Sequence, residues 1–153
     1  MRAENLSESN LPEFKEKLNI CLVSAPYYKD ITDNLIRGAL NVLEKINANI
    51  EIVEVSGALE IPTAIKLMEN KFDGFIAIGC VIRGETTHYE IVSTESSRGL
   101  IQLGLEKICI GNAILTVENR IQAQKRANPK IFDKGGEACS ALLGLLKIKE
   151  RSN

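Results

Sequence analysis

The 153-residue chain has a single histidine, no CxxC pair among its four cysteines, and no apolar run near the roughly 20 residues that cross a bilayer. Each shortage excludes something. Cys21, Cys80, Cys109 and Cys139 are scattered with no histidine pair nearby, so the clustered ligands of a zinc site are missing. Three of the four stand in apolar runs, where cysteine behaves as a small core hydrophobe, and free buried thiols are expected. Neither sign of charge is in excess, with 19 Lys and Arg against 20 Asp and Glu. A general electrostatic case for nucleic acid or an anionic membrane is thereby removed, though a local basic site for one phosphate is not. No GxGxxG follows the first apolar run and no GxxxxGK[ST] occurs anywhere, which leaves dinucleotide enzymes and NTPases little support. The segment SAPYYKD also lacks the hydroxyl-rich run expected of a flavin phosphate loop. The polar, acidic N-terminus has no apolar signal-peptide core, so a cytoplasmic protein is expected.

What the chain does have is an alternating rhythm. Residues 1–16 read as a flexible tail, with Pro12 discouraging a helix, and 17–153 as a single domain. NICLVSA (19–25) is a buried-strand signal. From Asp30 onward Ile31, Leu35, Ala39, Leu43 and Ile46 recur at helical spacing, with Asp30 or Thr32 as candidate caps. NIEIVEV (49–55) reads as a strand, and SGALEIPTAIKLMEN turns into a helix with Pro62 in its first turn. FDGFIAIGCVI (72–82) is a second buried strand, and a helix follows from Tyr89 to about Leu105 with Val92, Leu100 and Leu103 inward. KICIGNAIL (107–115) is a fourth strand, followed by a short helix over 118–126. A final helix carries Ala138, Ala141, Leu142, Leu145 and Ile148 on one stripe. Four strand–helix alternations predict βαβ crossovers and a four-stranded, mostly parallel sheet covered by helices on both faces.

In such sheets ligands bind beyond the carboxyl ends of the strands. The segments read as following the strands are APYY (25–28), SGALE (56–60), CVIRGETTH (80–88) and GNAIL (111–115). Converging at one edge, they would offer Tyr27 as a flat surface, Glu60 as an acceptor and His88 as a titratable group. His88 opens a helix behind Thr86 and Thr87, where hydroxyls and backbone N–H groups suit an anion and an imidazole could move protons near neutral pH. Each residue also has an ordinary structural reading. Tyr27 and Tyr28 could pack a loop, Glu60 could favour a helix N-terminus, Arg126 could favour a helix C-terminus, and Lys134 could simply be solvated.

Taken together, the blocks SGALEIP (56–62), AIGCVIRGETTHYE (77–90), ILTVENRIQAQKRA (114–127) and DKGGEA (133–138), with LIRGAL (35–40), resemble the 6,7-dimethyl-8-ribityllumazine synthase family over about residues 18–150. The resemblance implies a flavodoxin-like three-layer sandwich. It also implies a transferase reaction without metal or organic cofactor: 5-amino-6-(D-ribitylamino)uracil condenses with L-3,4-dihydroxy-2-butanone 4-phosphate, losing phosphate and water. By the same resemblance Tyr27 stacks on the pyrimidine and the segment Ala58, Leu59 and Glu60 meets the ribityl chain. Cys80, Val81, Ile82 and Asn112 match the contacts of the pyrimidine edge. Glu85 and Thr86 match the phosphate-contacting turn, Arg126 the phosphate-binding arginine, and Lys134 a position close to the phosphate. His88 matches the proton-transfer residue. The family further implies a homo-oligomer, a pentamer or a larger shell, with sites between neighbouring subunits.

The chain departs from the common pattern in three places. Tyr27 stands where phenylalanine or tryptophan is frequent, and Ala58-Leu59 replaces a frequent serine–tryptophan. Residues 127–133, ANPKIFD, lack the usual glycine-rich turn. Three competing readings are a non-catalytic ligand-binding or shell-forming homologue, a riboflavin-forming enzyme, and a flavodoxin-like redox protein.

Overall fold

A computed structural model describes residues 11–153. Four strands, β1 (Leu18–Ser24), β2 (Ala48–Glu54), β3 (Gly74–Ile82) and β4 (Cys109–Val117), form one sheet in the order β2-β1-β3-β4, and every pairing is parallel. The helices are α1 (Lys29–Leu43), α2 (Ile61–Leu67), α3 (His88–Leu105), α4 (Arg120–Ala127) and α5 (Lys134–Arg151), with a 3₁₀ turn at Ala58–Glu60 before α2.

Strand side chains alternate between faces, and the core divides accordingly. Leu18, Ile20 and Leu22 of β1, with Ile76, Ile78 and Cys80 of β3, pack beneath α1, α4 and α5. Cys21, Val23, Phe75 and Ala77 point the other way and meet Ile61, Ile65, Leu100 and Leu103 of α2 and α3. The result is the three-layer α/β arrangement expected from the alternation, with a fully parallel sheet. All four cysteines are free and buried.

Several local expectations are corrected. The cap of α1 is neither Asp30 nor Thr32 but Tyr28, whose side chain makes no capping bond. The Thr32 hydroxyl instead donates back to the Lys29 carbonyl (3.2 Å), and Asp30 accepts from Arg120. The core stripe of α5 is rotated, because Ala138, Cys139, Leu142, Leu143 and Leu146 are buried while Ala141, Leu145 and Ile148 are exposed. Apolar spacing alone could not choose, since the helix carries leucines and isoleucines on two overlapping faces. β2 is an edge strand whose alternation does not mark a buried face, with Ile50 and Ile52 both exposed.

Residues 11–16, within the expected tail, form no helix or strand yet lie against the domain. Leu11 and Phe14 pack on the core, and the Lys147 ammonium donates to the Glu13 carbonyl at 2.6 Å. Residues 1–10 of that segment lie outside the described residues.

Tight glycine contacts fix where α5 begins. A Cβ on Gly135 would stand 1.9 Å from the Leu35 carbonyl oxygen of α1, and one on Gly111 would stand 2.2 Å from the Ala138 carbonyl oxygen. Asp133, with a left-handed φ of 46°, caps α5 by accepting from the Gly136 N–H at 3.2 Å. The DKGG string is thus a device for seating one helix backbone directly on another.

Candidate active site

Between β1 and β3 the chain switches direction: the helix after β1 covers one face and the helix after β3 covers the other. That divergence opens a crevice at the carboxyl ends of the two strands. The crevice encloses about 440 Å³ and takes its walls from the residues that follow β1, β2 and β3.

Tyr27 stands at one wall, 78% exposed, so a ring face is open to a flat partner. Tyr28 supports it edge-on, with centroids 4.9 Å apart and planes at 79°. Arg120 braces this corner by donating to both carboxylate oxygens of Asp30 (2.6 and 2.7 Å), with its guanidinium carbon 5.6 Å from the Tyr28 ring centroid. The floor is the turn from Ser56 to Glu60. A Cβ at Gly57 would lie 3.0 Å from Glu60 Oε2, so the carboxylate folds over the bare backbone and faces the crevice. Leu59 is exposed while Ala58 is buried.

The third wall is the end of β3, where Cys80, Val81 and Ile82 line the crevice. Burial pushes the Cys80 thiol up to about 11, against the opposing pull of Arg120, so sulfur here is a neutral wall atom. His88, the first residue of α3, completes the enclosure with Val92 one turn on. Its backbone N–H donates to Thr86 Oγ1 at 3.3 Å. Glu85 and Thr86 are exposed on the loop leading to it.

Eight of the residues singled out in the sequence therefore share one cavity: Tyr27, Ala58, Leu59, Glu60, Cys80, Val81, Ile82 and His88. Glu85 and Thr86 adjoin it through His88. Three others are elsewhere. Asn112 is not beyond the end of its strand, because β4 continues to Val117 and Asn112 pairs with Ala77 in mid-sheet. It lies instead on a mostly apolar groove of about 630 Å³ between α3, the outer edge of β4 and the end of α5. Arg126 lies near the end of α4, donating to the Gln122 carbonyl at 3.2 Å and facing the Phe132 ring at 5.6 Å. Lys134 opens α5 and is paired with Glu137 at 2.8 Å.

The structure adds residues that the sequence reading did not single out. Arg83 donates through Nε to Glu118 at 2.8 Å and through a terminal nitrogen to Glu90, with its guanidinium carbon 4.3 Å from the Tyr89 ring centroid. The hydrogen bond from Arg83 holds the Glu90 carboxyl below the usual carboxylate range. The signal was available, since Arg83 directly follows β3 and so stands at the ligand-binding edge. Among the described residues, no group of three or more His, Cys, Asp or Glu side chains could hold a metal ion, and no helix is long and apolar enough to cross a membrane.

Comparison with known proteins identifies the family. The family model described as 6,7-dimethyl-8-ribityllumazine synthase matches residues 17–150. The chain is 50% identical over 132 residues to the 6,7-dimethyl-8-ribityllumazine synthase of Novosphingobium aromaticivorans, covering 85% of this chain and 95% of that one. It is 51% identical to the Erythrobacter litoralis protein of the same name, covering 85% and 94%. With the Jannaschia sp. protein of that name identity is 43% over 150 residues, covering 97% of this chain and 84% of the relative.

Proposed function

The chain belongs to the 6,7-dimethyl-8-ribityllumazine synthase family, and from that premise we propose how its residues carry the reaction. The enzyme is a transferase that condenses 5-amino-6-(D-ribitylamino)uracil with L-3,4-dihydroxy-2-butanone 4-phosphate. The products are 6,7-dimethyl-8-ribityllumazine, phosphate and water. The amine nitrogen on the pyrimidine adds to the ketone and loses water as an imine forms. Loss of the proton from the neighbouring hydroxyl-bearing carbon expels phosphate and leaves an enol, which takes a proton on its terminal carbon to become a ketone. The ribityl-bearing nitrogen adds to that carbonyl and closes the ring with loss of a second water. These are carbonyl condensations and proton shifts, so positioned acids, bases and anion contacts suffice, with no metal or organic cofactor.

The observation that carries the assignment of roles is the single crevice holding an exposed aromatic face, a backbone turn with a carboxylate, a strand end and the only imidazole. Tyr27 stacks on the pyrimidine. Ala58, Leu59 and Glu60 meet the ribityl chain, and because Ala58 and Leu59 carry no hydroxyl their share is made by backbone. Cys80, Val81 and Ile82 offer peptide groups to the pyrimidine edge. Glu85 and Thr86 sit at the phosphate end, where backbone N–H groups and the Thr86 hydroxyl suit an anion. His88 relays protons through imine formation, elimination and closure. A container without turnover would have no use for His88, Arg126 and Lys134.

Asn112, Arg126 and Lys134 reach a site as contributions from a second copy of the chain. The groove bearing Asn112 is walled by exposed Ile101, Leu105 and Ile148 and runs along the open edge of β4, which is the character of a surface covered by another protomer. The protein is accordingly a homo-oligomer, a pentamer or a larger shell, working in the cytoplasm on two small molecules, with residues 17–153 as its domain. Light scattering separates these masses from a monomer. Mixing tests the shared site. Chains carrying Arg126→Ala and chains carrying His88→Ala, each slow but not dead because much of the rate comes from holding two reactants in register, should regain lumazine absorbance and phosphate release when reassembled together. No gain over the separate variants would place both residues in one chain's site and refute the division.

A further inference from the structure

We propose that Arg83 is a positioning residue for His88, tying the first turn of α3 to the ends of β3 and β4 without touching either substrate. The inference rests on the reading of His88 as the proton-transfer group. Its evidence is the way Arg83 is held. The Arg83 N–H donates to the Val117 carbonyl at 2.9 Å, so its backbone extends the ladder between β3 and β4. Its guanidinium then contacts three side chains at once: Glu118 just after β4, and Tyr89 and Glu90 in the first turn of α3. Those last two are the residues directly following His88.

The first turn of α3 needs such a tie. Thr87 occupies the cap position but makes no side-chain capping bond, and residues 83–88 are exposed. The His88 N–H is held only by a long bond to Thr86 Oγ1 at 3.3 Å, and a helix start without its cap-residue bond frays most easily at its first residue, which here is His88. Residues two apart stand about 200° apart around a helix. The grip on Glu90 is therefore taken on the side away from the imidazole, fixing the turn while leaving the ring free to face the crevice. The geometry also separates Arg83 from a phosphate ligand. Its Nε and a terminal nitrogen are already given to two carboxylates, and a substrate phosphate would have to compete with both negative charges. Because the pairs are exposed, they add little to global stability. Their effect is expected in rate.

The test is steady-state kinetics on the assembled enzyme. Arg83→Met should lower kcat about tenfold, the scale expected when a proton-transfer group is misplaced by a fraction of an ångström, with KM for both substrates within twofold. Arg83→Lys, able to reach one carboxylate but not span two, should recover part of the loss. Lys66→Met, which removes a comparably exposed lysine bridging Glu69 and Glu106, should leave kcat unchanged. In a His88→Ala background Arg83→Met should cost less than twofold further. A full tenfold loss persisting in that background would overturn the inference, as would a large rise in KM for the butanone phosphate at unchanged kcat. If Arg83→Met does not assemble, Glu118→Gln removes the tie from its other end and is held to the same outcomes. Undiminished activity in His88→Ala itself would instead sink the reading of His88, a distinct result.

Discussion

Replacing Gly135 with alanine tests whether the start of α5 is seated by direct backbone contact. The added Cβ would lie 1.9 Å from the Leu35 carbonyl oxygen, with the Leu35 carbonyl carbon at 2.7 Å, where ordinary contact begins at 3.4 Å. About 1.5 Å must be found by moving α5 away from α1, since neither partner is the end of a flexible side chain. Overpacking of this kind costs about 1–3 kcal/mol, and backbone against backbone belongs at the upper end, so about 3 kcal/mol or more is expected. The contrast is Gly144→Ala in the same helix, where a Cβ meets nothing within 4 Å. There alanine should stabilise by about 0.5–1 kcal/mol through helix propensity alone. Melting temperatures at one fixed protein concentration rank the two variants against the parent, and kinetics read the second consequence. On the proposed role of Lys134 toward the phosphate, the neighbouring Gly135→Ala should raise KM for the butanone phosphate while leaving KM for the pyrimidine near its parent value. A Gly135→Ala protein as stable as Gly144→Ala would refute the close-packing argument.

Other outcomes follow from the same geometry. Tyr27→Ala should weaken the pyrimidine by about three- to tenfold, the worth of a stacked ring pair, whereas Tyr27→Phe should change it less than twofold; KM for each substrate checks both. Burial pushes the Cys21 and Cys139 thiols up to about 12 from an ordinary 9.0. The unfolded chain then ionises first as pH rises, so stability is intact below pH 9 and falls between about 9 and 12, by about 1.4 kcal/mol per pH unit for each thiol. Chemical unfolding of Cys139→Ala measured across that range should show a shallower alkaline decline than the parent, and an identical slope would refute the assignment.

Much of this architecture was legible in one dimension. Strands β1 and β3 announce themselves as β-branched apolar runs, and α1 as a clean four-residue spacing, because their burial pattern matches the backbone's own period. Tyr27, Glu60 and His88 of the crevice were legible too, since a parallel sheet brings the loops after its strands to one edge wherever they lie in the chain, while Ala58, Leu59 and Cys80–Ile82 were named through the family resemblance. Less legible were features set by neighbours. The buried face of α5 depended on where Gly135 and Gly111 let it approach α1 and β4. The length of β4, and with it the mid-sheet place of Asn112, depended on pairing with β3 as far as Val117.

Local chemistry thus determined the elements, their order and the set of groups gathered at the crevice, because propensity, periodicity and handed connections are properties of short segments. Tertiary packing alone decided that Arg83 reaches Glu118, 35 residues away, and also Glu90, that Arg120 reaches back to Asp30, and that Asn112, Arg126 and Lys134 lie away from the crevice. Those are distances between segments far apart in sequence, and they exist only once the sheet has closed its register.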